Sequence, residues 1–204
     1  MPGILILACP RSGTKYTATL LQSLGVDVSH ECTDGADGMI GWRYAAAESR
    51  RCFCEHFRQT CRLAERYETV WHQVRHPLEW LRSIPTIGVW EWIRTILPGL
   101  PLGNGLPLYM RFWVAWNELC ERQATWTYRV EDLRAGTDTM AEMLRAVGVQ
   151  SRPAAVPTDT NTRRTVARFA ERIIAPTLAD LHDADAEAAE ALVAMAARYG
   201  YRCE

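Results

Sequence analysis

Five apolar residues in succession, Ile4 to Ala8, do not alternate with polar ones and so predict a strand covered on both faces. Pro10 stops the ladder, and Ser12 and Gly13 turn the backbone. Tyr16, Leu20, Leu21 and Leu24 then recur at helical spacing until Gly25 ends the helix. Residues 26–28 read as the next strand, with His30 and Glu31 at its exit, where ligand-binding groups of an open parallel sheet collect. The Asp-Gly-Ala-Asp-Gly run at 34–38 reads as a loop, and Met39, Ile40 and Trp42 as its apolar cover. Residues 44–67 are amphipathic in places, with Phe53, Phe57, Cys61 and Ala64 spaced to face a core.

Residues 69–74 are rich in strand formers and predict a central strand that delivers Gln73, Val74 and Arg75 to the same edge. Pro77 suits the first turn of the following helix, along which Leu78, Leu81 and Ile84 are spaced for packing. Residues 85–107 break the pattern, because Trp90, Trp92, Ile93, Leu97 and Leu100 are interrupted by Pro98, Gly99, Pro101, Gly103 and Gly105. No regular core helix is expected there. The segment, taken as 85–108, is either an apolar lid over an acceptor or a loop packed over the end of the domain. Helices follow at 108–123, 139–147 and 185–199, and a strand at 125–130 ends at Arg129, Glu131 and Asp132. Strands alternating with helices predict one α/β domain over residues 1–204, three layers (αβα) around a mostly parallel sheet.

Composition narrows the class. With 204 residues, 48% of them hydrophobic, a second domain would be starved of core. A net charge of -1 gives no global positive field for a nucleic acid. No apolar stretch of roughly 18 residues and no secretion signal are present, so a cytoplasmic chain without membrane insertion is expected. Seven cysteines, an odd number, fit reduced thiols. Cys52, Cys54 and Cys61 lack the paired knuckle of structural zinc sites, and no metal is expected.

The chemistry concentrates in two places. After the first strand, backbone donors and the positive end of a helix converge on the turn from Arg11 to Lys15, which favours a phosphate or sulfate group. It matches a nucleotide-triphosphate loop only in part, since Tyr16 follows Lys15 and no glycine stands at position 8. The second place is Arg75 with Ser83 eight residues later. A ligand with anionic groups at both ends would satisfy both.

These residues carry a resemblance. Pro10-Arg11-Ser12-Gly13-Thr14 after a hydrophobic strand looks like the 5′-phosphosulfate loop of sulfotransferases that use 3′-phosphoadenosine 5′-phosphosulfate. Val74-Arg75-His76-Pro77 followed by Ser83 resembles that family's 3′-phosphate motif, and Tyr128-Arg129-Val130-Glu131-Asp132-Leu133 resembles its later strand end. The likeness covers roughly residues 3–135 and implies a P-loop-like fold. It implies that the loop residues Arg11, Ser12, Gly13, Thr14, Lys15 and Tyr16 hold the 5′-phosphate and the transferring group, and that Arg75 and Ser83 hold the 3′-phosphate. The family's Arg-Lys-Gly-type nucleotide loop is missing, and Asn161 with Arg163 would stand in for part of it.

The activity implied is sulfuryl transfer to a hydroxyl of a small metabolite or glycan-like acceptor, without a metal. Lys15 or Arg11 would stabilise the leaving group. The base is Glu31 by analogy with family members that carry a glutamate after the second strand, whereas an intrinsic pKa near 6.5 favours His30. Two other readings stand beside it: a Mg²⁺-dependent nucleotide or small-molecule kinase, and a non-catalytic nucleotide-binding domain with a Trp-rich interface.

Overall fold

A computed structural model of the chain describes residues 3–31, 35–48, 67, 69–84, 88–134, 137–149 and 176–203. Strand β1 (Ile4–Ala8) leads into helix α1 (Thr14–Ser23), followed by β2 (Val28–His30), β3 (Gly38–Ile40) and a 3-10 helix (Arg43–Glu48). After β4 (Thr69–Val74) come α2 (Pro77–Leu81), α3 (Trp90–Ile96) and α4 (Leu106–Glu121). Then follow β5 (Trp126–Arg129), α5 (Asp138–Ala146), α6 (Leu178–Ala184) and α7 (Ala186–Arg198).

The five strands form one parallel sheet in the order β2-β3-β1-β4-β5. Strand β1 lies at its centre, as its unbroken apolar run requires. Alternate residues of β1 face opposite layers. Ile4 and Ile6 join Ala18, Leu20 and Leu21 of α1 and Met140, Met143 and Leu144 of α5 in one core. Leu5 and Leu7 join Trp80 of α2, Phe112, Trp113 and Trp116 of α4 and Leu192 of α7 in the other. Helices therefore cover both faces of the sheet.

Three sequence expectations are corrected. Residues 38–40 are not loop and cover but strand β3, inserted between β1 and β2. The approach to β1 is so close that a Cβ on Gly38 would stand 2.1 Å from the carbonyl oxygen of Ile4, so only glycine fits. Strand β2 begins at residue 28 rather than 26, because the Val26 N–H closes the end of α1 on the Leu21 carbonyl and the Asp27 N–H binds the Asp37 carboxylate. That shift makes His30 the last strand residue and Glu31 the first beyond it.

The third correction concerns the aromatic segment, which contains helix α3 with Ile93 fully buried. Trp90 stacks on Tyr109 and meets Phe112 edge-on, while Trp92 packs on Trp42 and Trp116. The loop beyond α3 is pinned by the Arg94 guanidinium, which donates to the carbonyls of Pro101 and Gly103, and leaves Leu102 exposed. The cysteine trio 52, 54 and 61 and the core positions expected in 49–66 lie outside the described residues. Among the described residues no helix is long and apolar enough to cross a membrane.

Candidate functional site

The turn after β1 is built by fastening its carbonyl oxygens to neighbouring elements. Ser12 N–H donates to the Cys9 carbonyl at 3.2 Å, the Trp80 indole N–H to Pro10, Arg75 Nη1 to Arg11 at 3.0 Å, and Gln73 Nε2 to Ser12 at 2.7 Å. Gln73 is itself fully buried in β4, where its Oε1 accepts the hydroxyls of Thr17 and Tyr128. Three consecutive carbonyls, of Pro10, Arg11 and Ser12, are thus each held by a protein donor.

Gly13 then enters α1 in the left-handed conformation, φ 89°, with no side-chain cap. The first N–H groups of a helix have no intrahelical partner, and Gly13, Thr14, Lys15 and Tyr16 line an open cleft. The result is a row of donors at the positive end of a helix dipole.

The cleft has a volume of about 730 Å³ and runs along the carboxyl ends of the strands. The chain leaves β1 toward β2 on one side and enters β4 on the other. Strand order therefore reverses between β1 and β4, where open α/β sheets bind ligands. Arg11 to Tyr16 follow β1 and Arg75 follows β4, so the two cationic groups expected from the sequence share this crevice. His30 and Glu31 face it from the exit of β2. Arg11 (φ 67°) and Glu31 (φ 64°) are the non-glycine residues with positive φ among the described residues. Both line the cleft, so backbone strain gathers where the chemistry is expected.

His30 Nε2 lies 3.1 Å from Thr14 Oγ1, a contact whose donor is set by the ring tautomer, and 3.7 Å from Glu31 Oε1. Partial burial pulls the imidazole below its ordinary value of 6.5, the Glu31 carboxylate opposes that shift, and the Lys15 ammonium adds to it. The neutral form of the ring is thus favoured relative to a free imidazole. His72, by contrast, is a core group in β4: burial pulls it down to about 4, and its Nε2–H donates to Asn117 Oδ1 at 2.9 Å.

No protein-family model, curated protein or solved structure matches this chain.

Two residues expected to bind the nucleotide sit differently. Ser12 is fully buried and its hydroxyl has no hydrogen-bond partner among the described residues. Ser83 is also buried, donates from Oγ to the Trp80 carbonyl at 2.8 Å, and is not among the residues lining the cleft. Asn161 and Arg163 lie outside the described residues. Among the described residues, no cluster of His, Cys, Asp or Glu is arranged to hold a metal ion.

The structure adds lining residues to which the sequence assigned no ligand-binding role. Trp42 and Arg43 enter from the exit of β3, with the guanidinium 5.4 Å from the indole centroid. Glu131 and Arg134 enter from beyond β5. Arg43 was hidden because β3 was not recognised, and the usable signal was Gly-Trp-Arg directly after Met-Ile. In all, Arg11, Lys15, Arg43, Arg75 and Arg134 face the carboxylates of Glu31, Glu79 and Glu131. Glu79 is paired with Arg82 at 2.7 Å, and Glu131 is hydrogen-bonded on both oxygens. The cleft is locally cationic on a chain that carries almost no net charge.

Proposed function

We propose that the chain is a sulfotransferase that moves a sulfuryl group from 3′-phosphoadenosine 5′-phosphosulfate to a hydroxyl of a small metabolite or glycan-like acceptor, on a P-loop-like fold. The supporting observation is the meeting of two cationic groups, the turn from Arg11 to Lys15 and Arg75, at one switch-point crevice, joined by the bond from Arg75 to the Arg11 carbonyl. Their separation on adjacent strand ends suits a ligand phosphorylated at two places. The N–H row of α1 would hold the 5′-phosphate and the sulfuryl oxygens, and Arg75 the 3′-phosphate.

In the transfer, the acceptor oxygen loses its proton and bonds to sulfur. The bond from sulfur to the bridging oxygen breaks, and adenosine 3′,5′-bisphosphate leaves with the bonding pair. Charge grows on that bridging oxygen, next to Lys15 and Arg11. His30 is the better supported proton acceptor, half-buried at the cleft wall beside Thr14 with its neutral form favoured by that burial, and Glu31 offsets the imidazolium once it forms. This reverses the preference for Glu31 that family analogy carries.

Calorimetry on the whole chain with two nucleotides tests the class of donor. The expected result is saturable binding of adenosine 3′,5′-bisphosphate without added metal, weakened about tenfold or more in Arg75→Ala. Binding of ATP that requires Mg²⁺, with indifference to the bisphosphate, would select phosphoryl transfer instead.

A further inference from the structure

Beyond α7 the chain turns back under the exits of β4 and β5. Arg129, paired with Asp132 at 2.7 Å, donates from Nη1 to the Gly200 carbonyl at 3.0 Å and lies 5.5 Å from the ring centroid of Tyr201. Tyr201 is buried, edge-on to the His76 ring at 5.1 Å, and His76 Nε2 lies 3.0 Å from the Arg202 carbonyl oxygen. The Tyr201 hydroxyl donates to Glu131 Oε2 at 2.6 Å, while the His76 backbone N–H donates to Glu131 Oε1 at 3.0 Å. Both oxygens of this carboxylate are thereby committed. Burial and the neighbouring Glu131 carboxylate raise the Tyr201 phenol well above its ordinary range, so it remains a donor.

The location gives this arrangement consequence. Glu131 lines the same cleft as Arg75, and the N–H it accepts belongs to the residue directly after Arg75. A carboxylate held by two donors orients the peptide that carries the guanidinium. Released, the same carboxylate could turn to that guanidinium and compete with an incoming phosphate, since charge-assisted pairs between Arg and carboxylate resemble those with phosphate in geometry.

We infer that Tyr201 is a positioning residue for the nucleotide site, restraining Glu131 so that it aligns Arg75 for the 3′-phosphate instead of neutralising it. The inference rests on the nucleotide reading given above. Tyr201→Phe keeps the ring and removes the donor, and a urea midpoint at its ordinary value would show that the variant folds.

The test measures affinities of adenosine 3′,5′-bisphosphate and adenosine 5′-monophosphate for the wild type, Tyr201→Phe, Glu131→Gln and the double variant. Tyr201→Phe is expected to weaken the bisphosphate about fivefold or more and the monophosphate little, because the monophosphate lacks the 3′-phosphate assigned to Arg75. In the Glu131→Gln background, where no carboxylate charge remains to be restrained, the same change is expected to lose its effect. Equal affinities for wild type and Tyr201→Phe would overturn the inference while leaving the nucleotide reading intact. So would a loss of equal size for both nucleotides that persists in the double variant, which marks a packing defect. A wild type that binds no bisphosphate removes the nucleotide reading, and this inference with it.

Discussion

His30 and His72 show how placement within one fold separates an imidazole at the cleft wall from one enclosed in the core. His72 is enclosed in β4 with its ring nitrogens facing Asn117 and Thr127, and no solvent reaches it. His30 keeps part of its ring at the cleft, between a carboxylate that favours its charged form and an ammonium that disfavours it. Glu31→Gln removes the stabilising charge and should lower the His30 pKa further, whereas Lys15→Met removes the repelling one and should raise it. Titration of the imidazole proton resonances by NMR reads both shifts without an acceptor, and should find His72 near 4 in every variant. A His30 that ignores both substitutions would contradict the charge arrangement proposed for the base.

At the scale of elements, β3 decides where the cleft lies, because its insertion moves the exit of β2 one strand away from the loop and brings in Trp42 and Arg43 between them. Gly38→Ala should therefore cost about 2 kcal/mol or more, read from the urea midpoint, since the new Cβ meets backbone that cannot swing aside. An unchanged midpoint would mean that β3 pairs less closely with β1 than described.

Elements whose signal is local were legible. Strand β4 falls where its β-rich run predicts, and α4, α5 and α7 fall within two residues of their expected ends. Strand β3 was not, for it has three residues, one a glycine that elsewhere marks a turn. Helix α3 was hidden for a related reason. Pro98, Gly99 and Gly103 dominate the composition of that segment, yet they fall after Ile96 and leave seven consecutive residues free to form the helix.

For the whole molecule, the parallel order places every strand exit on one rim, and the switch between β1 and β4 turns two separate sequence motifs into neighbours. The pairing of Arg11 to Lys15 with Arg75 was legible because each motif sits directly after its own strand. The hold of Tyr201 on Glu131 was not, since 70 residues separate them and only the return of the chain after α7 makes them meet. Nor could the sequence show that the Ser83 hydroxyl would donate to the Trp80 carbonyl of α2, because a serine just past a helix end satisfies a local carbonyl as readily as a ligand.

In the proposed complex Arg75 reads one phosphate while the loop after β1 reads the other, and a comparison of two nucleotides removes the first phosphate and its reader in turn. Affinities of adenosine 3′,5′-bisphosphate and adenosine 5′-monophosphate are compared for the wild type and Arg75→Ala. The wild type should prefer the bisphosphate by about tenfold or more, and Arg75→Ala should erase that preference, any loss caused by the missing bond to the Arg11 carbonyl falling equally on both nucleotides. A preference of the same size in both proteins would place the 3′-phosphate elsewhere and contradict the account.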